Sequence, residues 1–266
     1  MNLESLLPLT LAPYAPGLIS GGLVGFTLGL VGGGGSILAV PLMVYFVGVK
    51  DPHIAIGTSA FAVALNALAN LIPHARAGNV KWRCGGIYAS SGVIGALVGS
   101  SLGKAFDGEK LLFLFALIMI IVGIIMLRGR GNQGDPGVEC TVAKAPKVLS
   151  YGFSTGLFSG FFGIGGGFLI VPGLVGSTGM PILKAVGTSL VAVSAFGLTT
   201  AFNYAASNYV DWSLAAIFLI GGVIGGLFGA QVARKLASYG SLLTTLFANL
   251  IFFIAGYMIA KTFFSI

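Results

Sequence analysis

The chain has 266 residues, of which 56% are hydrophobic and 8% charged, and a formal net charge of +7 from 14 basic and 7 acidic residues. A soluble domain carries about a quarter charged residues, so the composition excludes an ordinary water-soluble fold and makes the bilayer the main solvent. The basic excess does not indicate nucleic acid, because no basic stripe with interleaved aromatics exists; Lys and Arg sit between apolar runs, as in the loops of a membrane protein.

In chain order, Met1 to Ser5 lacks the basic lead of a cleavable signal peptide, so no cleavage is expected. A hydrophobic segment broken by Gly32-Gly33-Gly34-Gly35-Ser36 comes next. Apolar runs follow at Ile54 to Pro73, Gly85 to Gly103 and Leu111 to Leu127. Each approaches the roughly 20 residues that a helix needs to cross about 30 Å of hydrocarbon. Arg128 to Lys147 is a polar linker with glycine, proline and both charges, expected to be cytoplasmic. A second broken segment holds Gly163 to Gly167, and further runs lie at Ala185 to Ala206, Leu214 to Ala233 and Ser241 to Ala260.

The order repeats itself. Gly29 to Pro41 aligns with Gly160 to Pro172 at an offset of 131. Ala55 to Ser59 then aligns with Ala185 to Ser189, Val80 to Trp82 with Val210 to Trp212, and Gly92 to Gly99 with Gly222 to Gly229, all at an offset of 130. The chain therefore divides into an N-terminal repeat, 1–127, a linker, 128–147, and a C-terminal repeat, 148–266. Each repeat is a glycine-broken segment plus three spans.

Charge placement orients the repeats. If each broken segment crosses once, the repeats are parallel, with eight full spans, and eight basic residues face the cytoplasm against six. If each re-enters, the second repeat is inverted, and the ratio becomes ten against Lys50, Lys104, Lys110 and Lys261. The expected fold is an all-α polytopic membrane protein of two inverted repeats, with the parallel arrangement as the alternative.

The glycine breaks cost about 1 kcal/mol per glycine relative to alanine, and unwound backbone at membrane depth must be buried in protein or line a polar cavity. Discontinuous helices of transporters point half-helix N-termini at anions near the midplane. Gly33, Gly34, Gly35 and Ser36, with Gly165, Gly166 and Gly167, are the corresponding candidates for substrate binding. Tight packing or a kink is the competing reading for a single break; two equivalent breaks favour a site. No Gly-Lys-Ser/Thr ending accompanies either stretch, which excludes a phosphate loop.

Thr58, Ser59, Thr188 and Ser189 could add hydroxyls to an oxyanion site, or bond back to helix backbone. Asn66 and Asn203 are intramembrane amides that serve either as helix glue or as pore lining. His74 and Arg76 read as interfacial anchors, and Gly95, Gly99, Gly103, Gly221, Gly225 and Gly229 as close helix packing. Cys84 and Cys140 show no metal-ligand spacing and read as free thiols. All seven acidic residues fall in termini or loops, which disfavours a carboxylate proton relay or a metal-cation carrier. No cofactor or metal is expected, and no nucleophile, base or metal cluster supports an enzyme.

The duplicated Gly-rich stretch running into Val40-Pro41 and Val171-Pro172, with Gly57-Thr58-Ser59 and Gly187-Thr188-Ser189 downstream, resembles the sulfite exporter TauE/SafE family of anion permeases. The resemblance spans about Gly21 to Leu236. It implies a multi-pass transporter of the bacterial cytoplasmic membrane that exports sulfite or a related organosulfonate. Alternating access around the breaks is the expected mechanism; a channel for a small anion or neutral solute is the alternative. The expected partners are the small anion and the bilayer, and the sequence is compatible with a homo-oligomer.

Overall fold

The computed structural model describes residues 14–128, 140, 144–163, 167–236 and 240–264. Among them every regular element is helical. In the N-terminal repeat, α1 (Ala15–Val31) leads into an irregular limb of a 3₁₀ stretch (Gly32–Leu38), a single turn α2 (Ala39–Pro41) and a π-helical turn (Leu42–Val47). α3 (Pro52–Arg76), α4 (Trp82–Ala105) and α5 (Gly108–Arg128) follow. The C-terminal repeat runs α6 (Ala145–Phe162), α7 (Gly167–Thr178), α8 (Ile182–Ala205), α9 (Trp212–Leu236) and α10 (Gly240–Phe264). Pro52–Arg76, Trp82–Ala105, Gly108–Ile125, Ile182–Ala205 and Trp212–Val232 are long and apolar enough to cross a bilayer. Ile94, Leu97, Leu102, Ile121, Ile220 and Phe228 are exposed, as residues solvated by lipid tails would be.

Glycine decides which helices touch. On α1, Gly21, Gly25 and Gly29 lie directly on the backbone of Phe218, Gly222 and Gly226 in α9. On α6, the equivalent Gly152, Gly156 and Gly160 lie on the backbone of Tyr88, Gly92 and Ala96 in α4. Opposite them, Gly221, Gly225 and Gly229 meet α1 carbonyls, and Gly95, Gly99 and Gly103 meet α6 carbonyls. Removing side chains lets two backbones approach and gain dispersion contacts where hydrophobic driving force is absent. Each seam joins one repeat to the other, so the halves are interlocked.

The remaining contacts identify two ends of the bundle. At the first end, the Asp51 carboxylate caps α3 by accepting the His53 N–H at 2.8 Å, and Gly108 packs on Pro52. There too the Lys104 Nζ, ending α4, donates to the Asn203 carbonyl, the Asn203 Oδ1 and the Ser207 Oγ at 2.8–2.9 Å. At the second end, the Lys184 Nζ donates to the Gly78 carbonyl at 2.6 Å. The start of α3 thus lies beside the finish of α8, and the start of α8 beside the finish of α3.

Cys84 and Cys140 are joined in a disulfide with a Cα–Cα separation of 5.4 Å, which corrects the expectation of free thiols. The cause is the α4–α6 seam. It sets Cys84, near the start of α4, beside the lead-in to α6, across 56 residues of sequence. Both cysteines are buried.

Candidate functional site

The limbs that follow the glycine breaks pack against each other in the interior, the 3₁₀ stretch Gly32–Leu38 against α7. Gly33, Gly34, Gly35 and Ser36 all lie in the 3₁₀ stretch. Gly35 sits against the backbone of Thr27 and Leu28, so the limb folds straight back along α1. Thr27 Oγ1 reinforces the fold-back by donating to the Gly35 carbonyl at 3.4 Å. The expected half-helix starting at Ser36 is replaced by 3₁₀, α and π turns, because four successive glycines lose the most backbone entropy on becoming helical and Pro41 offers no N–H. Its counterpart α7 does begin at Gly167, whereas Gly165 and Gly166 lie outside the described residues.

The turning points of the two limbs are not at one shared depth. Gly32, with φ of +69°, fits against Val186, the fifth residue of α8, near the second end. Gly163, with φ of +67°, fits against Ile56, the fifth residue of α3, near the first end. Left-handed backbone favours glycine at both points, and the neighbouring side chain occupies the space that a Cβ would need.

The Gly-Thr-Ser triplets form joints between the repeats. Gly57 accommodates the Tyr209 carbonyl, and the Thr58 hydroxyl accepts the Asp211 N–H at 2.9 Å, at the start of α9. Equivalently, Gly187 accommodates the Asn79 carbonyl, and the Thr188 hydroxyl accepts the Lys81 N–H at 2.9 Å, at the start of α4. Each threonine satisfies a helix-start donor across the repeat boundary, a bond of the kind worth about 1 kcal/mol. Ser59 and Ser189 bond back to the Ile56 and Val186 carbonyls at 3.1 and 2.7 Å. All four side chains are buried.

Asn203 lies at the first end, where its Nδ2 donates to the Ser100 and Ser101 hydroxyls at 2.6 and 3.0 Å and its Oδ1 accepts from Lys104. That is helix glue. Asn66 differs: it is 0% exposed, and neither its Nδ2 nor its Oδ1 has a hydrogen-bond partner. Its amide lies against Gly222, at the α1–α9 seam and near the middle of α3. The neighbouring Asn70 is satisfied by the Asn66 carbonyl at 2.9 Å. An orphan amide costs about 1–3 kcal/mol in a protein interior, so the residue calls for an explanation other than stability.

The structure therefore divides the described sequence candidates into Gly33 to Ser36 with Thr188 and Ser189 near one end, Gly167 with Thr58, Ser59 and Asn203 near the other, and Asn66 between. Sequence reasoning did not identify Ile56 and Val186, which read as ordinary apolar residues. Their equivalence at the repeat offset was the available signal.

The sequence pattern of the family described as Sulfite exporter TauE/SafE matches residues 17–258. A probable membrane transporter protein of Xylella fastidiosa (strain Temecula1) is 51% identical over 244 residues, covering 91% of this chain and 94% of that protein. The probable membrane transporter protein YunE of Bacillus subtilis is 28% identical over 237 residues, covering 81% and 87%. The probable membrane transporter protein MJ0441 of Methanocaldococcus jannaschii is 27% identical over 233 residues, covering 81% and 86%. No solved structure matches significantly.

Proposed function

The chain belongs to the sulfite exporter TauE/SafE family of membrane transporters, and on that premise we propose that it exports sulfite or a related organosulfonate across the bacterial cytoplasmic membrane by alternating access. The observation that carries the reading is Asn66, a fully buried amide without a protein partner, set against Gly222 at the α1–α9 seam and at a level of α3 between the turning points of the two limbs. Its Nδ2 offers two N–H donors to an oxyanion that reaches this level of the bundle. Backbone N–H groups of the glycine limbs, toward either end of the bundle, would meet the anion on its way in and out.

The two repeats are inverted in this account, each a re-entrant segment plus three spans. Support comes from α3 and its equivalent α8 running in opposite directions, and from the mirrored threonine joints. The second end then carries Arg76, Lys81, Arg83, Arg128, Lys144, Lys147 and Lys184 and faces the cytoplasm. The Cys84–Cys140 bond lies at that same end. Cytosolic disulfides are characteristically transient and redox-responsive.

An anion leaving a negative interior gains about 2.3 kcal/mol per charge per 100 mV, so export requires no coupling ion. Purified protein in liposomes loaded with sulfite should show saturable efflux that supports counterflow and accelerates when the interior is made negative. No sulfite flux overturns the substrate assignment. Flux that stays linear with concentration and supports no counterflow overturns the carrier in favour of a channel.

A further inference from the structure

We infer that Ile56 and Val186 are the stoppers of two gates, one at each end of the transport path. The inference rests on the alternating-access reading above and adds the residues that close each side.

The geometry is the same twice. Ile56 Cγ2 occupies the space that a Cβ would take at Gly163, the turning point of the C-terminal repeat's broken segment. Val186 Cγ1 does the same at Gly32, the turning point of the N-terminal repeat's broken segment. Residues 56 and 186 are equivalent at the repeat offset of 130, and 32 and 163 at 131. Each stopper is a β-branched side chain, stiff at χ1, and each is nearly fully buried, at 1% and 9% exposure. A stiff knob in a glycine hole is either seated or withdrawn, the two-state behaviour that a gate requires.

Position makes them gates and not ordinary core contacts. Each knob belongs to a spanning helix of one repeat, and each hole to the re-entrant segment of the other. The contacts stand one turn into α3 and one turn into α8, which puts them at opposite ends of the bundle. Asn66 lies between the two levels, nine residues beyond Gly57 along α3. Both contacts are made here, so this conformation is closed at both ends. Movement of one repeat's re-entrant segment against the other repeat's helix withdraws one knob and leaves the second seated.

Thiol labelling in detergent tests the idea without any substrate. In a background with Cys84 and Cys140 replaced by serine, single thiols are introduced as Ser59→Cys or Ser189→Cys, each nearly one turn deeper than its stopper. A small anionic methanethiosulfonate is the probe. Ile56→Ala should raise the labelling rate of Ser59→Cys at least tenfold and leave Ser189→Cys within twofold; Val186→Ala should do the converse. Ile56→Val, which removes one methylene, should move Ser59→Cys in the same direction by a few-fold and covers the case in which Ile56→Ala is not monodisperse. Unchanged rates overturn the inference. So does a rise at both thiols from either shortening, which would mean general loosening. A wild-type protein that carries no sulfite but shows the selective labelling would lose its substrate assignment and keep its gates.

Discussion

Asn66→Leu should reduce sulfite flux by at least tenfold while leaving the protein as stable as the parent or more so. Ordinary membrane packing predicts the opposite association, in which a core substitution that impairs transport also impairs the fold. The distinction follows from the state of the Asn66 amide. Both of its polar atoms are buried without partners, so the parent already bears the cost of an unmade hydrogen bond, about 1–3 kcal/mol. Leucine has nearly the same shape and no polar atoms, and it faces Gly222, where no side chain competes for space. Thermal unfolding in detergent should therefore show an unchanged or raised midpoint, and liposome efflux should show the loss. If flux falls only in proportion to folded protein, Asn66 is a packing residue and the transport role assigned to it is wrong. Asn203→Leu serves as the contrast: its amide makes three side-chain hydrogen bonds, so its loss should register first as instability.

The second large effect concerns the seams. Gly25→Leu, or its equivalent Gly156→Leu, should leave little monodisperse protein after extraction. A Cβ at either position would run into a backbone carbonyl, at Gly222 and Gly92 respectively. Overpacking in a core usually costs about 1–3 kcal/mol because side chains can shift. Here the obstructing atom is helix backbone, which cannot rotate away, so a whole helix pair must separate. Gly86→Leu provides the control. Nothing lies within 4 Å of the position that its Cβ would take, and leucine is the better helix former by about 1 kcal/mol or less. A Gly25→Leu protein that is as abundant and monodisperse as Gly86→Leu would mean that the α1–α9 seam does not hold the halves together.

The repeat, the broken segments and the apolar spans were legible because each is a local pattern: glycine costs helix wherever it stands, and a run of about 20 apolar residues is read one segment at a time. Gly95, Gly99 and Gly103 were legible as packing positions but not as contacts between repeats, since periodicity names a helix face and not its partner. The Gly-Thr-Ser triplets did not disclose their partners for the same reason. Thr58 and Thr188 look like free hydroxyls until the loop from the other repeat places Asp211 and Lys81 N–H groups against them. Cys84 and Cys140 became a pair only through the α4–α6 seam. The first break was legible as a segment that leaves the α-helix, yet the turning points at Gly32 and Gly163, near opposite ends, depend on where Val186 and Ile56 arrive. The orphan state of Asn66 likewise depends on its neighbour, Gly222.

In the proposed topology, equivalent parts of the two repeats face opposite sides of the membrane. Ala77 and Ser207 are equivalent at the repeat offset, and both are exposed in loops, after α3 and after α8. Single thiols at these positions, Ala77→Cys and Ser207→Cys in the cysteine-to-serine background, can be labelled on intact cells with a membrane-impermeant maleimide. The thiol at 207 should react at once and the thiol at 77 only after permeabilisation; two thiols accessible from the same side would contradict the inverted arrangement.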